Sequence, residues 1–140
     1  MTILLPQTGE IPKPQPSMLS RPYWEGCVRG ELLIQRCASC DRSMPAPAPV
    51  CRWCLTPTLV WKASAGEGVV YSYSIVWRPQ TPAFVTPYVP AIVELREGVQ
   101  ILSNIIGCEP DDVHVGMAVA VEFHPIGDGA VLPYFRPTAQ

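Results

Sequence analysis

Two kinds of patterning divide the chain near its middle. Beyond residue 68 apolar side chains recur at every second position. Val69, Tyr71, Tyr73, Ile75 and Trp77 share one face of a segment whose other face carries Val70, Ser72, Ser74 and Val76. This alternation predicts a half-buried strand, and alternating aromatics such as Tyr71 and Tyr73 are expected to pack a core. The same period predicts a strand through Val89, Ala91, Val93 and Leu95. A third passes through Val99, Ile101, Ser103 and Ile105, with Leu102 and Ile106 opposite, and a fourth through Val119, Val121 and Phe123. Ala130 to Phe135 is a fifth candidate. Arg96-Glu97-Gly98 and Gly127-Asp128-Gly129 read as tight turns. Glu109-Pro110-Asp111-Asp112 reads as one helical turn, with proline and acids at its N-terminal end. Five short antiparallel strands and one small helical insertion predict a Greek-key barrel of the OB type.

The first half lacks this regularity. Residues 1–19 are proline-rich and are expected to form an extended, poorly ordered arm. Ser20-Arg21-Pro22 marks a helix start, with Ser20 as the cap and Pro22 where a missing N–H costs nothing. Gly26 and Gly30 keep the helix short, and Tyr23, Trp24 and Cys27 give it an apolar side. Leu32 to Gln35 predicts a strand leading into Cys37, and Trp61 to Ser64 another. The stretch from Arg78 to Pro87 is long for a connection between strands, apolar, and stiffened by proline. It either exposes Phe84 and Val85 as a binding surface or folds Phe84 back to plug a barrel end.

Composition narrows the classes. The chain has 140 residues, 48% of them hydrophobic and 16% charged, with a formal charge of −2. That length suits one domain, or a small core with a minidomain. Its only lysines are Lys13 and Lys62, which argues against a nucleic-acid partner. No apolar run is long enough to span a membrane. The start shows no secretory pattern, so a cytoplasmic location is expected, where the six cysteines stay reduced.

Four of those cysteines form two C-x2-C pairs, Cys37/Cys40 and Cys51/Cys54, ten residues apart. Two such pairs brought together by a hairpin complete a tetrahedral all-thiolate metal site. Zinc is the favoured metal, with iron in a rubredoxin-like setting as the alternative. Neither pair opens a helix within a βαβ unit, which argues against a redox role. Four thiolates leave no open coordination position, so the site is structural. It carries a net charge of about −2, which Arg36, Arg42 and Arg52 would offset. Asp41 and Leu55 follow the second cysteine of each pair, where a small residue is usual. Asp tolerates the left-handed backbone and Leu does not, so the second knuckle is expected to be distorted. Cys27 and Cys108 read as buried core thiols. His114 and His124 stand alone, and no catalytic constellation is visible.

The order of these features is itself specific. RPYWEGCVRGELLIQRC leads into the first C-x2-C, a proline-rich spacer and the second C-x2-C. GEGVVYSYSIVWRP, PYVPAIVEL, LSNIIGC and LPYFRP come after them in turn. Over residues 20–137 the chain resembles the zinc-ribbon/OB-fold family of acyl-CoA-associated proteins, formerly a domain of unknown function. The resemblance implies a mainly β protein with a short N-terminal helix and lead-in strand (20–36), a rubredoxin-like zinc ribbon (37–60) and a five-stranded OB-fold barrel (61–140). It implies one structural zinc per chain, held by Cys37, Cys40, Cys51 and Cys54. It also implies a non-catalytic subunit of a hetero-oligomer that handles acyl-CoA. The expected partner is a thiolase-fold aldolase of the lipid-transfer type, acting on a steroid or fatty acyl-CoA side chain. A hot-dog-fold enoyl-CoA hydratase, or a thiolase or acyltransferase, is the alternative. A single-stranded nucleic-acid module is a further alternative from a different class, and an enzyme in its own right, working through the metal or a cysteine, is the third.

Coenzyme A carries phosphates and an adenine, for which Arg and an aromatic ring are natural partners. Trp77, Arg78 and Phe84 are the first candidates for acyl-CoA or partner contact, and Trp53 with Arg52 the second. Phe135-Arg136 is a further pair of that kind.

Overall fold

The computed structural model describes residues 2–8, 10–44 and 47–138. Met1 and Gly9 of the arm, Pro45-Ala46 of the proline-rich spacer and residues 139–140 at the end of the barrel lie outside the described residues. Among the described residues, one helix and eight strands make up the regular structure, in the order α1 (Arg21–Arg29), β1 (Leu33–Cys37), β2 (Ser43–Met44), β3 (Leu59–Ala63), β4 (Glu67–Tyr73), β5 (Val89–Leu95), β6 (Gln100–Ile105), β7 (Ala118–Gly127) and β8 (Ala130–Pro137). A single 3-10 turn, Pro110–Asp112, separates β6 from β7 and carries a capping box between Glu109 and Asp112.

Strands β4 to β8 close into a barrel in the order β4-β5-β6-β8-β7, with β7 returning to β4. All neighbours are antiparallel except β6 and β8, which meet at Ile105 and Phe135. This is the five-stranded OB arrangement that the alternation predicts. Val70, Val89, Val93, Val119 and Phe135 fill the interior and are fully buried. The buried period of β5 is strict, with Val89, Ala91, Val93 and Leu95 inward.

The first barrel strand departs from expectation. It ends at Tyr73 and not at Trp77; beyond it only Val76 bridges to Tyr88. A register shift between Val70 and Ser72 lies within it. Its aromatic face is the outer one: Val69, Tyr71, Tyr73 and Trp77 are exposed while Val70 is buried. Alternation specifies two faces but not which is covered. Here β4 turns the smaller Val70 into the barrel and its own large rings, Tyr71 and Tyr73, outward.

β1, β2 and β3 form a separate antiparallel sheet in the order β2-β1-β3. β3 straddles residues 60 and 61. Leu32 and Ile34 join the barrel's core cluster, so the helix and the ribbon's base pack on the barrel. Ser20 makes no side-chain cap to α1. Its hydroxyl instead accepts from the Ser17 N–H, at 2.9 Å. Gly26 serves a purpose beyond shortening the helix. A Cβ there would lie 2.8 Å from the Glu31 carbonyl and 2.9 Å from the Leu33 side chain.

The arm is ordered along the barrel, contrary to expectation. Leu4 is buried; its N–H donates to the Cys108 carbonyl, and its own carbonyl accepts from Gly107, at 2.8 and 2.9 Å. The Gln7 N–H donates to the Tyr134 hydroxyl at 2.9 Å. The Gln7 amide also brackets Val85, accepting from its N–H at 2.8 Å and donating to its carbonyl at 2.9 Å. Burial of Leu4 and Ile11 supplies apolar stabilisation that a proline-rich composition does not reveal.

Candidate metal centre and its surroundings

The two C-x2-C pairs sit on matching turns. In each, the backbone N–H of the residue after the second cysteine donates to the carbonyl of the first cysteine: Asp41 to Cys37 at 2.8 Å and Leu55 to Cys51 at 2.9 Å. That turn requires a left-handed residue, and Asp41 and Leu55 have φ of 66° and 62°. The second knuckle is therefore not distorted as expected. Leu55 adopts the same backbone as Asp41, at a cost of about 1–2 kcal/mol, and its side chain is 73% exposed.

The hairpin brings all four sulfurs together, every Sγ within 4.8 Å of the others. Cys37–Cys54 and Cys40–Cys51 are each 3.6 Å apart. A tetrahedron with metal–sulfur arms of about 2.3 Å has edges of about 3.8 Å, so the donor set fits a four-thiolate ion. Among the described residues, Cys37 and Cys51 share a small buried cluster with Met44, with Cys40 and Leu59 against it. That is too little apolar burial to hold two turns and a three-stranded sheet.

Hydrogen bonds surround the sulfurs. Cys37 accepts from the Cys40 N–H at 3.4 Å and Cys51 from the Trp53 N–H at 3.3 Å. Thr58 Oγ1 lies 3.4 Å from Cys37 Sγ and Thr56 Oγ1 3.0 Å from Cys54 Sγ. The Thr58 hydroxyl, with the N–H of Cys40, holds the Cys37 thiol down to about 5. Desolvation pushes Cys40 up to about 12. Four sulfurs packed this closely ionise together only with a cation between them. Sequence reasoning misses Thr56 and Thr58. A T-x-T directly after the residue that closes the last knuckle is the only signal for them, and hydroxyl side chains are too common to stand out.

Arg42 and Arg52 have their guanidiniums 5.0 and 5.2 Å from the centre of the Trp53 ring, which is 51% exposed. Arg36 is engaged instead by Asp41 at 2.6 Å. Arg36, Arg42, Trp53 and Lys62 line a cleft of about 700 Å³ between the ribbon and the turn at Glu97-Gly98.

Trp77 and Arg78 are exposed. Phe84 neither plugs the barrel nor stands free. It stacks on Tyr88 at 5.7 Å, beside the Val85 that Gln7 holds. Among the described residues, no ring contact or ion pair joins Trp77 or Arg78 to Phe84. The structure thus unites Arg52 with Trp53 and the four cysteines with each other, and leaves the loop trio as separate surface groups. Phe135 is core. Arg136 pairs with Glu122 at 2.7 and 2.9 Å, and Glu122 also binds His124 at 2.7 Å, so that histidine is not isolated. Arg136 and then His124 hold the Glu122 carboxyl down to about 2. Cys27 and Cys108 are buried, and desolvation raises both thiols, Cys27 to about 11. They are unsuited to nucleophilic work. No helix among the described residues is long and apolar enough to cross a membrane.

Comparison with known proteins agrees with this architecture. Residues 24–60 match the family described as "ChsH2, rubredoxin-like zinc ribbon domain", and residues 61–124 match "ChsH2, C-terminal OB-fold domain". A solved structure described as "Ltp2-ChsH2(DUF35) aldolase" superposes with a TM-score of 0.85 at 35% identity, covering 91% of this chain and 100% of that one. A "DUF35 domain-containing scaffold protein" of Methanocaldococcus jannaschii is 36% identical over 76% of this chain and 81% of its own length. A "Probable enoyl-CoA hydratase alpha subunit" of Thermomonospora curvata is 38% identical over 94% of this chain, but the chain spans only 43% of that protein. A "3-oxo-4,17-pregnadiene-20-carboxyl-CoA hydratase alpha subunit" of Mycobacterium tuberculosis is 34% identical over 72% of this chain and 32% of its own length.

Proposed function

Because the chain belongs to the ChsH2 family, in which a rubredoxin-like zinc ribbon precedes an OB-fold domain, we propose that it is a zinc-binding accessory subunit of an acyl-CoA-processing complex. In this reading it contributes no catalytic group. Cys37, Cys40, Cys51 and Cys54 would hold one zinc ion, which supplies the folding energy that the ribbon's own small core lacks. Being saturated by sulfur, the ion offers no position for water or substrate.

The partner in this reading is a thiolase-fold aldolase that cleaves a carbon–carbon bond in a steroid or fatty acyl-CoA side chain. The observation that carries it is the match at 35% identity, over the whole of the other chain, to the structure described as an Ltp2-ChsH2(DUF35) aldolase. The relatives described as hydratase alpha subunits favour a second reading, in which the partner is an enoyl-CoA hydratase. A nucleic-acid partner is disfavoured by the barrel itself. OB domains bind oligonucleotides over the face of their second and third strands and the adjoining loops, and β5 and β6 contain no lysine or arginine. Such binding needs a cationic groove.

Trp77, Arg78 and Phe84, on a loop stiffened by proline and tied to the arm, are the proposed partner-facing group. Trp53 and Arg52 are the proposed contact for the phosphates and adenine of the acyl-CoA. A cytoplasmic location suits reduced cysteines around zinc. To test the role, the chain is mixed with a thiolase-fold aldolase and with an enoyl-CoA hydratase, and each mixture is analysed by size exclusion and thioester turnover. A stable complex with the aldolase, and activity that depends on it, is expected. Full activity of the enzyme alone, with no complex formed, overturns the reading.

A further inference from the structure

The four sulfurs are not equally supported. Two accept a backbone N–H: Cys37 from Cys40 at 3.4 Å and Cys51 from Trp53 at 3.3 Å. Cys54 is the most exposed of the four. Its sulfur meets the Thr56 hydroxyl, at 3.0 Å. Thr56 Oγ1 is in turn 2.8 Å from Thr58 Oγ1, and Thr58 Oγ1 is 2.9 Å from Ser39 Oγ. The hydroxyls form a continuous path from the first knuckle, at Ser39, to the last ligand of the second. Each has one proton to give. A run of donations from Ser39 to Thr58, Thr58 to Thr56 and Thr56 to Cys54 satisfies the path and ends on the exposed Cys54 sulfur. Thr58 also lies 3.4 Å from Cys37 Sγ and can turn its proton there.

A thiolate in water is solvated by several donors, and a metal-bound one keeps its charge only if some are replaced. Amides do this for Cys37 and Cys51. We propose that Thr56, supported by Thr58 and Ser39, is the positioning residue that holds Cys54 on the metal, and that Cys54 is the ligand through which metal is lost when the hydroxyl is removed. This rests on the proposal that the cluster binds zinc, but not on the identity of the partner enzyme.

The test begins by measuring bound zinc in the full-length wild-type chain. A value near one per chain upholds the metal reading independently of any release rate. Metal transfer to a chromophoric chelator is then timed for wild type, Thr56→Val and Thr56→Ser. Val keeps the shape and removes the donor. Loss about tenfold faster in Thr56→Val, with Thr56→Ser close to wild type, is expected. Equal rates for wild type and Thr56→Val overturn the proposal. Should Thr56→Val fail to fold, wild-type holoprotein is alkylated slowly with iodoacetamide and the labelled cysteine is mapped. Among the four ligands, first modification at Cys54 supports the proposal, and first modification at Cys37, Cys40 or Cys51 refutes it.

Discussion

Gln7→Ala tests whether the arm is part of the folded unit. The Gln7 amide makes two hydrogen bonds to the backbone of Val85, at 2.8 and 2.9 Å. Each contributes about 0.5–1.5 kcal/mol. Val85 is 43% exposed, so water can re-satisfy its N–H and carbonyl, and the pair belongs in the lower half of that range, about 1–2 kcal/mol. The buried methylene adds about 0.8 kcal/mol, and freeing the side chain returns about 1 kcal/mol of rotamer entropy. The net loss is about 1–2 kcal/mol. For a chain of this size it lowers Tm by about 3–8 °C. The backbone bond from Gln7 to Tyr134, and the burial of Leu4, remain in the variant. The damage should therefore stay local. Hydrogen exchange is the discriminating assay: the Val85 amide, which donates to Gln7, should lose protection. The Gly107 amide, which donates to the Leu4 carbonyl, should keep most of its own. An unchanged melting curve with an unchanged Val85 exchange rate would refute the claim that the arm holds the loop.

Chelation of the metal, or Cys40→Ser, is expected to unfold the ribbon, read as lost near-ultraviolet circular dichroism; a metal-free chain with an unaltered melting curve contradicts this. Gly26→Ala should destabilise by about 1–3 kcal/mol in urea unfolding, although alanine ordinarily favours a helix. The added Cβ would press on the backbone of Glu31, and a gain in stability would show that this contact relaxes freely. Glu122 has its folded pKa lowered from 4.5 to about 2 by Arg136 and His124. Its contribution is present above pH 4.5 and fades as pH falls toward 2. The stability difference between wild type and Glu122→Gln should shrink over that window, and a difference constant from pH 6 to pH 2.5 would contradict the pairing.

Much of the architecture is legible in residue spacing. Period-two alternation is a local property of each strand, so β5, β6 and β7 can be located without tertiary information. The C-x2-C pairs are equally legible, because the distance from a knuckle's first sulfur to its second is set by the turn between them. Proline and glycine mark the 3-10 turn and the hairpins for the same local reason.

Other features depend on surfaces brought together from far along the chain. Whether Tyr71 and Tyr73 point inward depends on how the barrel closes, and their alternation is the same either way. The order of the arm arises from contacts with Cys108, Tyr134 and Val85, residues 78 or more positions away, and nothing in a proline-rich stretch announces them. Leu55 is misjudged from sequence because propensity disfavours its backbone, whereas four converging sulfurs and the knuckle hydrogen bond demand it. The difference is one of range. Turn geometry and side-chain alternation act over a few residues and are written in their spacing. Which face is covered, which arm is docked and which hydroxyl meets which sulfur are settled by packing between segments, and that exists only once the chain has folded.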